Sequence, residues 1–289
     1  MERPESGTYI DNLAEHLYHD RTHGYSSSDI KMLLKSTPYH FKYFHDKPAT
    51  PPTEAMKLGS MLHGQVLRPE AMDEEITVMP DFNLRTKDGR ANKEQFLEDN
   101  PHKLVITPKQ WEEGMRMADS VSKNDQAMEL LEGSIRERSM WAEAMGLPIR
   151  ARADAYKKNA LLELKSTRDA SFDGFRRQIA NLKYHVSLIH YAVCLEQCVP
   201  EIESVSNMEY YFICVENSEP YTTAVYKASQ NMIDEAWEEW KRGMELLKTS
   251  IESDHWEGYM NHGEIEEIDL PSWAYKSQKI EDLDQSSTF

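Results

Sequence analysis

Two charged residues stand inside an apolar, strand-like run, at a spacing that could support chemistry. The run reads LLELKST and contains Glu163 and Lys165. Because side chains alternate along a strand, both would point to the same side of it. A preceding strand-like run, PIRARADAY, contains Asp154. If the two runs form a hairpin whose turn is centred between Lys158 and Asn159, Asp154 lies directly opposite Glu163.

Opposed carboxylates at these positions would need a cation between them. Directly opposed side chains have β-carbons about 5 Å apart, so Asp154 and Glu163 would repel each other. Such oxygen-rich pairs suit Mg²⁺ or Mn²⁺, which take further ligands from water and substrate phosphate. The ammonium of Lys165 could orient or help deprotonate the attacking water, or stabilise charge on a phosphate. The alternative is a solvated Glu and Lys on an edge strand, which the opposing Asp154 makes less favourable.

Helices and further strands surround this hairpin in the sequence. Pro38 divides YSSSDIKMLLKSTPYHFKYF into two helices, and TEAMKLGSMLHGQVLRPE predicts a third that ends at Pro69. The β-branched runs EITVMP and KLVITP predict short strands around a polar loop that holds a short helix. Helical periodicity follows in TPKQWEEGMRMADSVSKNDQAMELLE and, without a fault, over residues 172–198. EYYFICVE and TTAVYKA predict a strand pair before a last amphipathic helix.

The order of these elements predicts an α/β fold with a central mixed sheet flanked by helices. We predict one domain over residues 1–275, with N-terminal helices in 26–68 and a catalytic core in 135–230. A polar tail over residues 276–289 would follow.

Net charge limits the kinds of partner. The chain of 289 residues carries a formal charge of -17, and a uniformly acidic surface would repel nucleic acid phosphates. The charge is uneven, however, because the stretch from Tyr18 to Lys57 is basic and aromatic. An acidic exterior with a local basic channel therefore remains compatible with nucleic acid binding.

Cysteine content and hydropathy predict a cytoplasmic protein. The three cysteines are an odd number in a long chain, which does not favour a disulfide framework. Cys194 and Cys198 stand four apart without further ligands, so buried free thiols are a better interpretation than a metal site. No apolar run is long enough to span a bilayer, and the polar N-terminus lacks the pattern of a secretory signal.

Taken together, the motifs resemble a known family. Asp154, Glu163 and Lys165 match the signature of the PD-(D/E)xK nuclease superfamily, whose restriction-endonuclease-like fold agrees with the predicted elements. The surroundings resemble the phage and prophage exodeoxyribonuclease VIII group, the RecE-type exonucleases. The resemblance runs from about Tyr25 to about Trp273. It includes KLGSMLHGQVLRPE, LRTKDGRANKEQFLEDN, DASFDGFRRQIANLKYHVSLIHY and the terminal LPSWA.

The resemblance implies roles for individual residues. Asp154 and Glu163 would bind the metal, Lys165 would serve the attacking water, and His63 in GSMLHG would lie beside the metals. A satisfied core histidine is the alternative for His63. Glu137 matches a family position near the site, although helix-surface glutamates are common.

One departure from the family pattern concerns DNA contacts. The family has a glutamine in the helix after the site, four residues before a tyrosine, where this chain has Ser187 and Tyr191. Tyr184, Ser187 and Tyr191 would still share one helical face. The tyrosines could contact DNA or could simply rim the core. The proline before the family's aspartate is Ala153 here, a change that we expect to be harmless.

A basic loop is a further candidate for DNA binding. LRTKDGR places Arg85, Lys87 and Arg90 around a glycine, as a mobile element that could grip phosphates. Charged loops are often merely solvated, and this alternative stays open.

These features predict a metal-dependent exodeoxyribonuclease, with Mg²⁺ as its cofactor and Mn²⁺ as a substitute. By resemblance it would degrade one strand of linear duplex DNA, 5′ to 3′, and leave 3′ single-stranded tails for annealing and recombination. It would form a ring-shaped homo-oligomer, a trimer or tetramer, and act with a RecT-like single-strand annealing protein in the cytoplasm of a bacterium that carries the phage or prophage. The alternative is a nuclease-fold module that binds DNA or protein without cutting.

Overall fold

A computed structural model describes most of the chain. The described residues are 2–48, 50–202, 204–259, 265–271 and 274–275, so the predicted polar tail and part of the LPSWA motif lie outside them. Within these ranges, no helix combines the length and apolar character needed to cross a membrane.

The regular elements are eleven α-helices and eight strands among the described residues. The helices are α1 Glu15–Tyr18, α2 Ser27–Lys35, α3 Pro38–His45, α4 Glu54–Leu67, α5 Met72–Glu75, α6 Lys87–Asp99, α7 Pro108–Ser122, α8 Asp125–Leu131, α9 Phe172–Leu182, α10 Tyr184–Cys198 and α11 Gln230–Ser253. The strands are β1 Thr8–Ile10, β2 Ile76–Val78, β3 Leu104–Ile106, β4 Ile135–Ala144, β5 Leu147–Lys157, β6 Ala160–Thr167, β7 Glu209–Glu216 and β8 Thr223–Lys227.

Six strands form one mixed sheet in the order β1-β4-β5-β6-β7-β8. Only β6 and β7 are parallel, and the chain connects them through α9 and α10. The β5–β6 hairpin has the predicted register, because Ala155 pairs with Leu162 and Lys157 with Ala160. Continued by one residue, this register places Asp154 opposite Glu163. The separate pair β2 and β3 is parallel and matches the two short strands predicted from β-branched content.

Helices cover both faces of the six-stranded sheet. The largest core cluster joins α2, α10 and α11 to the sheet and contains Ile30, Ile189 and Met244. A second cluster joins α4, α7 and α8 to β6 and β7 and contains Leu62, Val121 and Leu164. The central strands are therefore buried between two helical layers.

Two segments predicted as continuous helices are each divided. The break in the segment 172–198 falls at Lys183, whose backbone is left-handed with φ 55°. Asn124 begins α8 as an N-cap and separates it from α7. The apolar spacing continues in phase across such breaks, and periodicity alone therefore did not detect them.

Two strands were missed from the sequence. β1 and β4 pair with each other, and β4 also pairs with β5 along nine residue pairs. Charged residues interrupt IRERSMWAEA, so its alternation is weak. Through its pairing with β5, β4 places Glu137 beside Asp154.

Candidate active site

Three carboxylates lie across three neighbouring strands. The pairs Arg136 with Ala155 and Arg138 with Ala153 place Glu137 of β4 opposite Asp154 of β5. Glu163 of β6 lies on the other side of Asp154. Asp154 and Glu163 are buried and Glu137 is partly buried, and such a group of acids is costly unless cations or hydrogen bonds compensate the charges.

Asp154 is the central member of this row. Its Oδ2 accepts a hydrogen bond from the backbone N–H of Leu164 at 2.7 Å and contacts Lys165 Nζ at 3.2 Å. Its Oδ1 lies 3.7 Å from His63 Nδ1. The Asp154 carboxylate therefore links β5 to the backbone of β6 just beyond the paired residues of the hairpin.

Lys165 supplies the cation between the opposed carboxylates. Its Nζ lies 2.9 Å from Glu163 Oε1 and also donates to the carbonyl of Leu164 at 3.0 Å. Burial by itself lowers the pKa of Lys165, but Asp154 and Glu163 outweigh it and hold the pKa well above the usual value. Lys165 is therefore an ammonium when no metal is bound.

Glu163 is 1% exposed, and its Oε2 has no hydrogen-bond partner within the described part of the chain. Burial raises the pKa of Glu163, although the ammonium of Lys165 acts in the opposite direction. A buried carboxylate oxygen without a partner is costly, and such a group calls for an explanation. A bound cation would provide one.

His63 reaches the row from α4 with a defined tautomer. Its Nε2 lies 2.8 Å from the carbonyl of Leu164. A carbonyl can only accept, so Nε2 carries the proton and the Nδ1 of a neutral ring presents its lone pair. This Nδ1 lies 3.6 Å from Glu137 and faces Asp154. Burial lowers the pKa of His63, but the charges of Asp154 and Glu137 outweigh it and raise the pKa.

Among the described residues, His63, Glu137 and Asp154 form the group that could hold a metal ion. Their ligand atoms all lie within 4.8 Å of one another. Opposite ligands of a Mg²⁺ ion bound at about 2.1 Å are about 4.2 Å apart, so a small contraction would complete the contacts. The residues therefore fit a divalent cation. Glu163, predicted from the sequence as a ligand, is outside this group. Its Oε1 pairs with Lys165, and its Oε2, which has no partner among the described residues, is the atom left for a cation.

Arg152, which was not predicted as a site residue, lies beside Glu137 and is itself held by Ser139 and Glu15. The guanidinium of Arg152 is buried, with its Nε 4.0 Å from Glu137 Oε2 and 2.9 Å from Ser139 Oγ. Its Nη1 pairs with Glu15 of α1. Contacts of this kind fix the orientation of metal ligands. Arg152 and Asp154 belong to the alternating run RARAD. Charges at every second position of a buried strand indicate that these side chains share one face of the sheet, and this pattern could have identified Arg152 from the sequence.

The helix after the hairpin places two tyrosines near the site. The ring of Tyr184 lies 5.7 Å from Lys165 Nζ and 5.8 Å from Lys31 Nζ of α2. Burial lowers the pKa of Lys31 to about 8, while Glu163 acts to raise it. Tyr191 accepts a hydrogen bond from Ser27 Oγ at 3.4 Å. Lys31 was missed because its helix lies far from the hairpin in sequence.

Ser187 does not continue this polar strip toward solvent. It is fully buried, and its Oγ has no hydrogen-bond partner in the described structure. Gln178 of α9 provides an amide nearby, because its Nε2 donates to Tyr184 at 3.2 Å and its Oε1 accepts from Thr167 at 2.6 Å. The glutamine-to-serine departure is thus accompanied by a glutamine on the preceding helix.

The predicted basic loop is only partly a loop. Lys87 and Arg90 belong to α6, which begins after the N-cap Thr86. A Cβ on Gly89 would lie 2.0 Å from the carbonyl oxygen of Asn83, so this glycine permits a close backbone approach rather than mobility. Arg85, Lys87 and Arg90 are exposed and do not line the cleft beside Lys165.

Sequence and structure comparisons agree with this geometry. Residues 26–269 match the model of a PDDEXK-like domain of unknown function (DUF3799), and the chain belongs to this family. No curated protein matches the chain in sequence. The crystal structure of a candidate exonuclease from Eubacterium rectale has a TM-score of 0.61 and 12% identity, over 96% of this chain and 99% of that chain. A phage-related exonuclease from Haemophilus somnus 129PT has a TM-score of 0.32 and 10% identity, over 65% of this chain and 96% of its own.

The family match confirms the superfamily that Asp154, Glu163 and Lys165 predicted, and with it the α/β fold class. At 12% identity, the likeness to the Eubacterium rectale protein shows a shared fold alone. The roles of individual residues stay predictions that rest on the geometry above.

Proposed function

We propose that the chain is a metal-dependent nuclease, and more specifically an exodeoxyribonuclease that degrades one strand of linear duplex DNA. The observation that carries the proposal is the convergence of Glu137, Asp154 and Glu163 with the Nδ1 of His63 and the ammonium of Lys165. A structural ion pair would not need a third, partly buried carboxylate, nor a histidine whose lone pair faces two of the carboxylates.

The residues divide the chemistry among them. His63, Glu137 and Asp154 would hold Mg²⁺ or Mn²⁺, and one imidazole among carboxylates suits Mn²⁺ well. When bound, the metal would polarise the phosphodiester and activate water as the nucleophile. Lys165 would stabilise the negative charge that develops on the phosphate, because its ammonium is already fixed between Asp154 and Glu163.

The family resemblance supports the finer proposal. We infer 5′ to 3′ degradation that leaves 3′ tails, a ring-shaped trimer or tetramer, and a RecT-like annealing protein as partner. We place the activity in the cytoplasm of a bacterium that carries the phage or prophage. A ring would also allow an acidic exterior to surround a basic channel, and its subunit number can be measured by light scattering.

End-labelled linear duplex tests the activity. With Mg²⁺ or Mn²⁺ we expect degradation from the end, with release of the 5′ label before the 3′ label, and no cutting of a closed circle. Asp154→Asn should lower the rate by at least about 100-fold, because it removes a metal ligand and a contact of Lys165. Glu143→Gln, an exposed acid on the same strand as Glu137, is the control and should not change the rate.

Equal rates for the wild type and Asp154→Asn would refute the proposed site. A protein that neither cuts DNA nor binds Mn²⁺ in calorimetry would be the non-cutting module instead.

A further inference from the structure

A cleft opens beside Lys165, between α4 and α9. Its volume is about 680 Å³. His63 and Lys165 lie at its border, and it is also lined by Arg168 of the β6–α9 connection and Arg177 of α9. A volume in the range of about 300–1,000 Å³ is typical of pockets for small organic ligands. The volume is therefore suitable for a short stretch of one nucleic acid strand.

The two arginines of the cleft have no assigned structural role. Both are exposed, and neither forms an ion pair or a hydrogen bond among the described residues. Arg176, the neighbour of Arg177 on the same helix, instead pairs with Asp173 at 3.0 Å. The hydrogen bonds from Ser171 lower the pKa of Asp169, and the charge of Arg177 adds a smaller effect without forming an ion pair. The Oδ1 of Asp169 accepts from the backbone N–H of Ser171. In a chain of charge -17, two unpaired guanidinium groups beside an active site indicate an anionic ligand.

The other lining residues suit the rest of a nucleotide. Asn181 and Asn217 offer amide donors and acceptors, while Met56 and Leu182 are 58% and 38% exposed in a site where apolar side chains could cover a base or sugar. The floor is held in place, because Thr167 and Gln178 are hydrogen bonded to each other. A groove that combines cations with an aromatic side chain, here Tyr184, is typical of sites for single strands.

We propose that this cleft binds the scissile strand of DNA after it separates from its complement, with Arg168 and Arg177 on backbone phosphates next to the one at Lys165. The inference rests on the proposed function for its substrate, but it concerns binding and can be tested without cleavage. In this arrangement the strand leaves the metal site between α4 and α9, past the arginines toward Met56 of α4 and Leu182 of α9.

The test measures binding of a fluorescent single-stranded oligonucleotide by anisotropy, in EDTA and between 100 and 400 mM salt. The double variant Arg168→Gln/Arg177→Gln should weaken binding about tenfold at the lowest of these salt concentrations. It should also reduce the slope of log Kd against log salt by about 1.4, since each lost phosphate contact on a single strand contributes about 0.7. Arg177→Lys combined with Arg168→Lys should keep most of the slope, because the charges remain.

Arg176→Gln is the matched control, since it removes an arginine from the same helix outside the cleft. It should leave both affinity and slope unchanged. Unchanged binding by the double glutamine variant, an equal loss in Arg176→Gln, or no binding by the wild type would each overturn the inference. A nitrophenyl ester of thymidine monophosphate separates this result from the proposed function, because its hydrolysis with Mn²⁺ needs the metal site without the extended strand. No hydrolysis of ester or DNA by the wild type, together with arginine-dependent binding, would refute the nuclease and retain the cleft.

Discussion

At the scale of single residues, Asp154 connects the groups of the site. One of its oxygens faces the histidine, and the other contacts Lys165 and the backbone of β6. A single carboxylate thus belongs both to the candidate metal group and to the ion pair. Metal binding by the candidate group should therefore affect the ion pair with Lys165, and the ion pair should affect metal binding.

Lys165→Met should destabilise the metal-free protein. It leaves Asp154 and Glu163 opposed without the ammonium, although Glu163 can take up a proton because burial raises its pKa. We expect a loss of about 2 kcal/mol in the free energy of unfolding, less than the full cost of a broken buried pair. Urea unfolding in EDTA would measure it.

Added Mn²⁺ should raise the stability of this variant more than that of the wild type, because the metal no longer competes with an ammonium. Lys109→Met, at an exposed position on α7, should leave stability nearly unchanged. A variant as stable as the wild type in EDTA would show that Lys165 does not neutralise the carboxylates.

At the scale of elements, two helices determine where side chains enter the site. α4 carries His63 and packs on α7, where Gly114 faces the fully buried Met61. The left-handed residue Lys183 turns the chain between α9 and α10, and its Nζ pairs with Glu239 of α11 at 2.6 Å. This turn places Tyr184 beside Lys165.

Gly114→Ala should destabilise the protein even though alanine is the better helix former. The new Cβ would lie 2.1 Å from Cγ and 3.0 Å from Cβ of Met61. The backbone of α4 fixes this Cβ, and Cγ could move only by a change of rotamer within a fully buried environment. The helix gain is about 1 kcal/mol, whereas overpacking costs about 1–3 kcal/mol. Thermal unfolding should show a net loss of up to about 2 kcal/mol, and calorimetry a weaker affinity for Mn²⁺, since His63 would shift. Glu112→Ala on the exposed side of α7 is the control, and stabilisation by Gly114→Ala would contradict the packing argument.

His190 connects α10 to β5 and α11 and should make stability depend on pH. Its Nε2 donates to the carbonyl of Arg150, and its Nδ1 accepts from Trp240 Nε1. Burial lowers the pKa of His190 to about 4. In the unfolded chain the histidine takes up a proton near pH 6.5, whereas in the folded chain it stays neutral down to about pH 4. The free energy of unfolding therefore falls as the pH drops from about 6.5 toward 4.

The expected loss from this histidine between pH 7.5 and pH 5 is about 2 kcal/mol. His190→Gln can keep one donor and one acceptor without titrating. Urea unfolding at the two pH values should therefore show a drop about 2 kcal/mol smaller in the variant. An equal drop in both proteins would mean that His190 does not contribute.

At the scale of the whole molecule, charge opposes the proposed substrate. The net charge is -17, while the cations of the cleft lie within a small region. Repulsion between protein and DNA acts over long distances, but contacts of the arginines with phosphate act only at short range. The two effects should therefore respond differently to salt.

The association rate with a short duplex should rise between about 10 and 150 mM salt, because the Debye length falls from about 30 to about 8 Å. Stopped-flow fluorescence in EDTA would measure it. An uncharged nucleic acid analogue of the same sequence is the control, and its rate should change little. A steady fall of the rate from the lowest salt would show that the cations dominate at long range.

The sequence by itself determined the hairpin, its register and the family. Asp154, Glu163 and Lys165 are close along the chain, and the two strands meet through a short turn, so local pairing was enough to bring them together. The alternation of strands and helices was enough for the fold class. The same patterns did not predict the break between two helices at Lys183. They also did not predict β4, because its alternation is weak.

Only the tertiary structure decided which distant residues complete the site. His63 lies 101 positions before the carbonyl that it contacts. Lys31 and Lys165 lie over the same Tyr184 ring, and Arg177 of α9 lines the same cleft as Lys165. Such meetings depend on how helices pack on the sheet, and periodicity describes one element at a time. The packing placed Glu137 with Asp154 and His63, buried Ser187, and left Arg85, Lys87 and Arg90 outside the cleft.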